Sequence, residues 1–229
     1  MHKQLVLILA LTAALLLGGC SRAAPAPTLT YVALGASDTV GVGAADPASE
    51  GWVAQFYNRL PPGTRLVNLG VSGFKLNEAL TQTLPIAQDA HPDLVTIWLA
   101  VNDFNARVDL AQYERDLDTL LAGVQATGAQ RILVANIPAL ENVPVYAAQG
   151  IPPQRLAPEV SRWNDVIARQ AAKHGAILVD VHSEWNELAN HPEYVSVDGF
   201  HPSAAGYSRL ADLFYQTLQA NGGLPSRTQ

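Results

Sequence analysis

Five short segments of this chain are almost continuously apolar: LTYVAL (29–34), RLVNLG (65–70), DLVTIWLA (93–100), RILVANI (131–137) and AILVDV (176–181). None keeps a strict polar–apolar alternation, so none suits a strand with one wet face. Runs of this kind, rich in Val, Ile and Leu, suit parallel strands buried on both sides. Helical periodicity fills the gaps, at 51–60, 75–90, 109–128, 158–175 and 203–223. In the third of these, Leu110, Tyr113, Leu117, Leu120 and Leu121 share a face and Gly128 closes the pattern. Ser203 is placed to cap the last one. Strand and helix alternating in this way predict a parallel sheet covered by helices on both faces. Ligands of such sheets bind beyond the carboxyl ends of the strands. Ser37, Gly73 and Asn102 follow the first three predicted strands, so all three fall on that rim.

The chain has 229 residues, 48% hydrophobic and 15% charged, which suits one domain with a sizeable core. Its formal net charge of -6, with no basic cluster, argues against a nucleic-acid partner. The first twenty residues are different in kind. Lys3, the apolar run 5–17 and Gly18-Gly19-Cys20 have the layout of a secretory signal, and Leu17-Gly18-Gly19-Cys20 matches a bacterial lipoprotein box. The expected organisation is a lipoprotein signal peptide at 1–19 and a tether at 20–28 stiffened by Pro25 and Pro27. A single globular domain at 29–221 and a flexible tail at 222–229 follow. Lipidation of Cys20 would anchor the exported domain to the bacterial cell membrane or outer membrane. Cys20 is also the only cysteine, so the core must hold without an intramolecular disulfide.

Near the C-terminus, Asp198 and His201 stand three apart in DGFHP. A serine nucleophile needs a base for its proton, and an imidazole serves when a carboxylate holds its other ring nitrogen. Gly199 permits the bend that would return the carboxylate to the ring. Taken together, Gly35-Ala36-Ser37, Asn68-Leu69-Gly70-Val71-Ser72-Gly73, Asn102-Asp103 and Asp198-Gly199-Phe200-His201-Pro202 resemble the four ordered blocks of the SGNH, or GDSL-like, hydrolase superfamily. They reach across nearly the whole chain after the tether.

That resemblance implies a three-layer α/β/α sandwich with flavodoxin-like strand order, and ester hydrolysis without a cofactor. It assigns Ser37 as nucleophile, His201 as general base and Asp198 as the carboxylate orienting it. The backbone N–H groups of Ser37 and Gly73 and the side-chain amide of Asn102 become the oxyanion hole. Two positions depart from the family pattern: Ala36 stands where an aspartate precedes the serine, with Asp38 following instead, and Ala100 stands where the third block begins with glycine. The substrates implied are carboxylic esters, from short acyl esters to lysophospholipids. A carbohydrate O-acetyl esterase shares the machinery, and a lipoprotein binding module without catalysis shares the fold.

Other residues invite other readings. Ser72 lacks the Gly-x-Ser-x-Gly elbow, because Phe74 occupies its closing position. Asp180, His182 and His191 fit no tight zinc-ligand spacing, so no metal is expected. Asp103 is expected to fix its loop by hydrogen bonds, and Trp52, Trp98, Trp163 and Trp185 to pack. GVGAAD (41–46) lacks the third glycine of a dinucleotide fingerprint.

Overall fold

The computed structural model describes residues 29–186 and 190–224; the signal-like segment, Cys20 and the tether lie outside them. The chain runs β1 (Leu29–Gly35), α1 (Ser37–Val40), α2 (Pro47–Glu50), α3 (Trp52–Tyr57), β2 (Thr64–Gly70), α4 (Leu76–Gln82), α5 (Leu84–Asp89) and β3 (Leu94–Trp98). It continues with α6 (Val101–Asn105), α7 (Leu110–Gln125), β4 (Arg131–Ala135), α8 (Pro144–Ala148), α9 (Pro153–Lys173), β5 (Ile177–Val179), α10 (Val181–Trp185) and α11 (Ala204–Ala220). The five strands form one sheet in the order β2-β1-β3-β4-β5. Every pairing is parallel. All five predicted strands are present, and the order is the flavodoxin-like one.

Burial follows from that order. β1 and β3 lie inside the sheet and every residue of both is buried. β2 is an edge strand, which is why it tolerates Arg65 and Asn68. Helices α3 and α11 pack on one another on one face, and α4, α5, α7 and α9 pack together on the other. Under α3 and α11, Trp52 stacks on Phe214 at 4.2 Å between ring centroids, and Phe56 meets Tyr31 edge-on at 5.2 Å. Tyr31 keeps its hydroxyl satisfied against Thr96 Oγ1 at 2.8 Å. On the opposite face Trp163 lies between Tyr113 and Phe104.

Helix ends follow local chemistry, and two differ from expectation. Asp109 caps α7 by accepting from Gln112 N, and Ser203 caps α11 by accepting from Gly206 N. The single helix expected at 75–90 is two, parted at Thr83, because Pro85 has no N–H to continue the ladder. The helix expected from Pro158 begins five residues earlier. Pro153 occupies the first helical turn, where proline is well accommodated, and Pro158 lies inside the helix. Gly222–Leu224, expected to open a loose tail, instead close α11: Gly223 N donates to Leu218 O, and Gly223 O accepts from Arg131 Nε at 2.8 Å. Among the described residues no helix is long and apolar enough to cross a membrane.

Because Phe214 is fully buried and stacked on Trp52, Phe214→Ala should lower unfolding stability by about 3–5 kcal/mol. A urea titration followed by tryptophan fluorescence measures this, with the midpoint moving down.

Candidate active site

In this sheet the chain leaves β1 for β2 on one side, then returns to β3 on the other. The connections after β1 and β3 therefore part, leaving a crevice between their carboxyl ends. Ser37 opens α1 on one side of that crevice and Asn102 lies in the first turn of α6 on the other. Ser37 is largely buried, at 8% exposed. Its short helix is held from below by Asn68, whose Nδ2 donates to Thr39 O at 2.9 Å while its Oδ1 accepts from Gly70 N at 3.0 Å. Asn68 is thus a brace for the serine turn, a role that its place in a motif block did not reveal.

The DGFHP loop brings its residues to the same place. His201 Nε2 lies 3.0 Å from Ser37 Oγ, and His201 Nδ1 lies 2.6 Å from Asp198 Oδ2. Asp198 Oδ1 accepts from Ser196 Oγ, Phe200 N and His201 N at 2.8, 2.8 and 2.9 Å. Gly199 makes this possible with φ +72°. Partial burial by itself would raise the Asp198 carboxyl; hydrogen bonds from His201, Phe200 and Ser196 outweigh it and hold the group far below the usual carboxylate range. Asp198 is therefore ionised throughout the working pH range, and an ionised acceptor favours the Nδ1–H form of the ring. That leaves Nε2 free to accept the serine proton.

Of the predicted oxyanion groups, Asn102 lines the same recess as Ser37, and Gly73 immediately precedes Phe74, which lines it too. Gly73 is the third residue of the Val71–Phe74 turn, closed by Phe74 N donating to Val71 O, and its φ of +82° is the glycine conformation of a type II turn. No protein atom lies within 4 Å of where a Cβ would project, so its backbone N–H is unobstructed on that side. Ser72, the rival nucleophile, is exposed in the same turn. Asn102 Nδ2 donates one hydrogen to Phe74 O at 2.9 Å, which ties the second block to the third and leaves a second N–H on the amide. Asp103 fixes the loop as expected: buried at 2% exposed, it accepts from Leu76 N with both carboxyl oxygens, at 3.2 and 3.0 Å.

Neither alanine departure occupies a glycine-only conformation. Ala36 has φ -110° and Ala100 has φ -164°, so neither position demands the left-handed conformation that favours glycine. Both line a slot entered beside Ser37 and Asn102, with Phe74, Trp98, Val101 and Phe200. The slot continues past Asp38 to Leu140, Val143 and Trp185. All four tryptophans are buried, and Trp98 and Trp185 also wall this slot.

Three histidines outside the site have other partners. His182 Nε2 is 3.8 Å from Glu141, His191 Nδ1 is 2.8 Å from Glu193, and His174 is clasped between Asp118 and Gln125. Asp180 caps α10, accepting from Ser183 N, Ser183 Oγ and Asn136 Nδ2. Among the described residues no cluster of three such side chains is arranged to hold a metal ion.

Two supports escaped the sequence reading. Gly43 lies against the histidine loop, so that a Cβ there would come within 2.4 Å of Pro202 O and 3.0 Å of His201 Cβ. Tyr207, on α11, donates its hydroxyl to Val42 O. GVG (41–43) was legible as a turn, but nothing local says what lies across from it.

A family model, the GDSL-like lipase/acylhydrolase family, matches residues 33–209. The chain belongs to that family. The four blocks read in the sequence all fall within the matched span. Among curated proteins, an acetylxylan esterase of Geobacillus stearothermophilus is 24% identical over 205 residues, covering 87% of this chain and 88% of that protein. A GDSL lipase of Mycobacterium tuberculosis is 29% identical over 216 residues, covering 85% of each. Among solved structures, TesA superposes with a TM-score of 0.69 at 25% identity, covering 83% of this chain and 98% of its own. The acetylxylan esterase Axe2 of Geobacillus stearothermophilus gives a TM-score of 0.66 at 22% identity, covering 84% and 94%. Members of the family with these names are esterases and lipases, and this chain is a carboxylic ester hydrolase.

Two outcomes follow from the supports. Gly43→Ala should push the Pro202–His201 segment off Ser37 and lower kcat on p-nitrophenyl acetate by about 10- to 100-fold with KM little changed. Burial pushes the Asp103 carboxyl up to about 6, the Leu76 N–H and Lys75 only partly offsetting it. A folded-state value above the unfolded one means that ionising Asp103 costs stability, progressively as pH rises from about 4 to 6. Asp103→Asn removes this cost, so urea midpoints should shift in the variant's favour, relative to wild type, across that interval.

Proposed function

We propose that this ester hydrolase works through an acyl-enzyme on Ser37. His201 takes the Ser37 proton through Nε2 as Oγ attacks the ester carbonyl, and Asp198 stabilises the imidazolium that results. The former carbonyl oxygen carries the negative charge of the tetrahedral intermediate. The N–H groups of Ser37 and Gly73 and the free N–H of Asn102 are the donors for it. His201 then protonates the departing alcohol, and water repeats the attack on the acyl group. The observation that carries this reading is the continuous line from Ser37 Oγ to His201 to Asp198, at 3.0 and 2.6 Å.

The substrates proposed are short acyl esters, acetyl esters first among them. The slot is narrow, so a short group enters it readily, whereas a long alkyl chain would need its aromatic walls to turn aside. The names of the acetylxylan esterase relatives support the same reading. Export and lipidation at Cys20 remain part of it, resting on the LGGC sequence at 17–20. Leu29 opens β1 and Ser37 follows its far end. Seven strand residues, about 23 Å, thus separate the tether's attachment from the crevice. A domain tethered by its N-terminus would offer the site to soluble or polymeric esters rather than to the bilayer beneath it.

Ser37→Ala should reduce p-nitrophenyl acetate turnover by about 10⁴-fold or more and abolish labelling by a fluorophosphonate probe. Retained turnover would remove Ser37 from the mechanism. Across a series of p-nitrophenyl esters, kcat/KM should peak at acetyl or propionyl and fall steeply by octanoyl.

A further inference from the structure

Asp38 differs from the other described carboxylates at this end of the molecule in its partners, for only its own backbone N–H and the nearby His201 draw it down. Asp198 accepts from the side chains of His201 and Ser196 and two backbone N–H groups, and Asp103 accepts from Leu76 N. Among the described residues no other residue donates a hydrogen bond to the Asp38 carboxyl. It nonetheless lines both ends of the slot that starts at Ser37. Deeper in, where the walls are Trp98, Val101, Leu140, Val143, Trp185 and Phe200, it is the only charged side chain and the only side-chain acceptor among the described residues.

An anionic group here is costly. Its field opposes the negative charge that the ester carbonyl acquires during attack, and apolar walls amplify that field. Burial pushes the carboxyl up to about 6, with His201 drawing it down and Asp198 raising it. At neutral pH it is still mostly ionised. A lone carboxylate in such surroundings is complementary to a cation: the charge meets the carboxylate, and the aromatic faces of Trp98, Trp185 and Phe200 attract it further. A neutral polyol fits less well, because one acceptor would leave its other hydroxyls stranded against apolar walls. An anionic acyl group would be repelled.

We propose that Asp38 selects esters carrying an alkylammonium group within a few bonds of the ester carbonyl, seated in the slot between Asp38 and the walls of Trp98, Trp185 and Phe200. This rests on the Ser37 reading above and names a substrate class for that site. Bound there, the cation cancels the Asp38 field during attack, so that the preference is expressed in the transition state as well as in binding.

The test uses two matched pairs in which only the charge differs. One pair is β-alanine ethyl ester against ethyl butyrate, with the cation on the acyl side. The other is 2-(trimethylammonio)ethyl acetate against 3,3-dimethylbutyl acetate, with the cation on the alcohol side. Each is followed by pH-stat at pH 7.5 in wild type and in Asp38→Asn, and the quantity read is the cationic-to-neutral ratio of kcat/KM. Dividing the wild-type ratio by the variant ratio cancels the intrinsic reactivity that an ammonium group confers. That quotient should be about 10- to 100-fold for one of the pairs. A quotient near one for both pairs overturns the proposal. Should Asp38→Asn fold poorly, wild type alone decides: n-butylammonium should inhibit p-nitrophenyl acetate hydrolysis competitively at concentrations where 1-butanol does not, and equal effects of the two overturn it. Ser37→Ala separates the two levels. Turnover surviving that substitution defeats the catalytic reading, whereas its loss together with a quotient near one defeats only the role of Asp38.

Discussion

One contact governs the rest: the hydrogen bond between Ser37 and His201, which joins groups 164 positions apart in the chain. No local propensity can bring them together, so the whole domain acts as the spacer that sets their separation. Several features keep the histidine loop in place. Tyr207 reaches from α11 to Val42, Gly43 admits the loop at close range, and Ser196 N donates to His201 O at 2.8 Å. Ser203 caps α11 where the loop ends. α11 is in turn fixed by the stacking of Phe214 on Trp52. Aromatic packing on one face of the sheet is thus mechanically continuous with the position of a ring nitrogen at its rim.

Three carboxylates crowd the same end of the sheet, and their surroundings set them to different states. Four donors keep Asp198 charged against partial burial. Asp103 spends its lone pairs on one backbone N–H and is raised by its own burial. Asp38 is raised as well, and it lines the slot. Identical chemistry therefore yields an orienting group, a loop clamp and a candidate recognition group. The difference lies in the donors around each, not in the residue.

Much of this was legible beforehand, and for physical reasons. Strands buried on both faces leave near-continuous apolar runs, so β1 and β3 could be read directly. The short segment DGFHP encodes its own geometry, because acid, hinge and base are neighbours in the chain. Helix boundaries were less legible. Pro158 and Pro153 are equally good first-turn residues in isolation, and only packing places the start at Pro153. Gly43 and Asn68 were invisible as supports for the same reason that Ser37 was visible: their partners are distant in sequence, and no motif spells out what a backbone will be pressed against. Asp38 was noted only as a displaced letter of a pattern. That no other described residue donates to it is a property of the folded slot.

The acid and base of this site share one four-residue turn, whereas the alcohol sits on the first strand's exit. Asp198 and His201 hence travel as a single rigid cassette, and no breathing of the sheet can part them. The one separation open to thermal motion is that between the cassette and the strand. Warming would then silence the enzyme first by loosening the cassette from the strand exit, while the sheet and the C-terminal helix stayed packed, so that inactivation would precede melting and reverse on cooling.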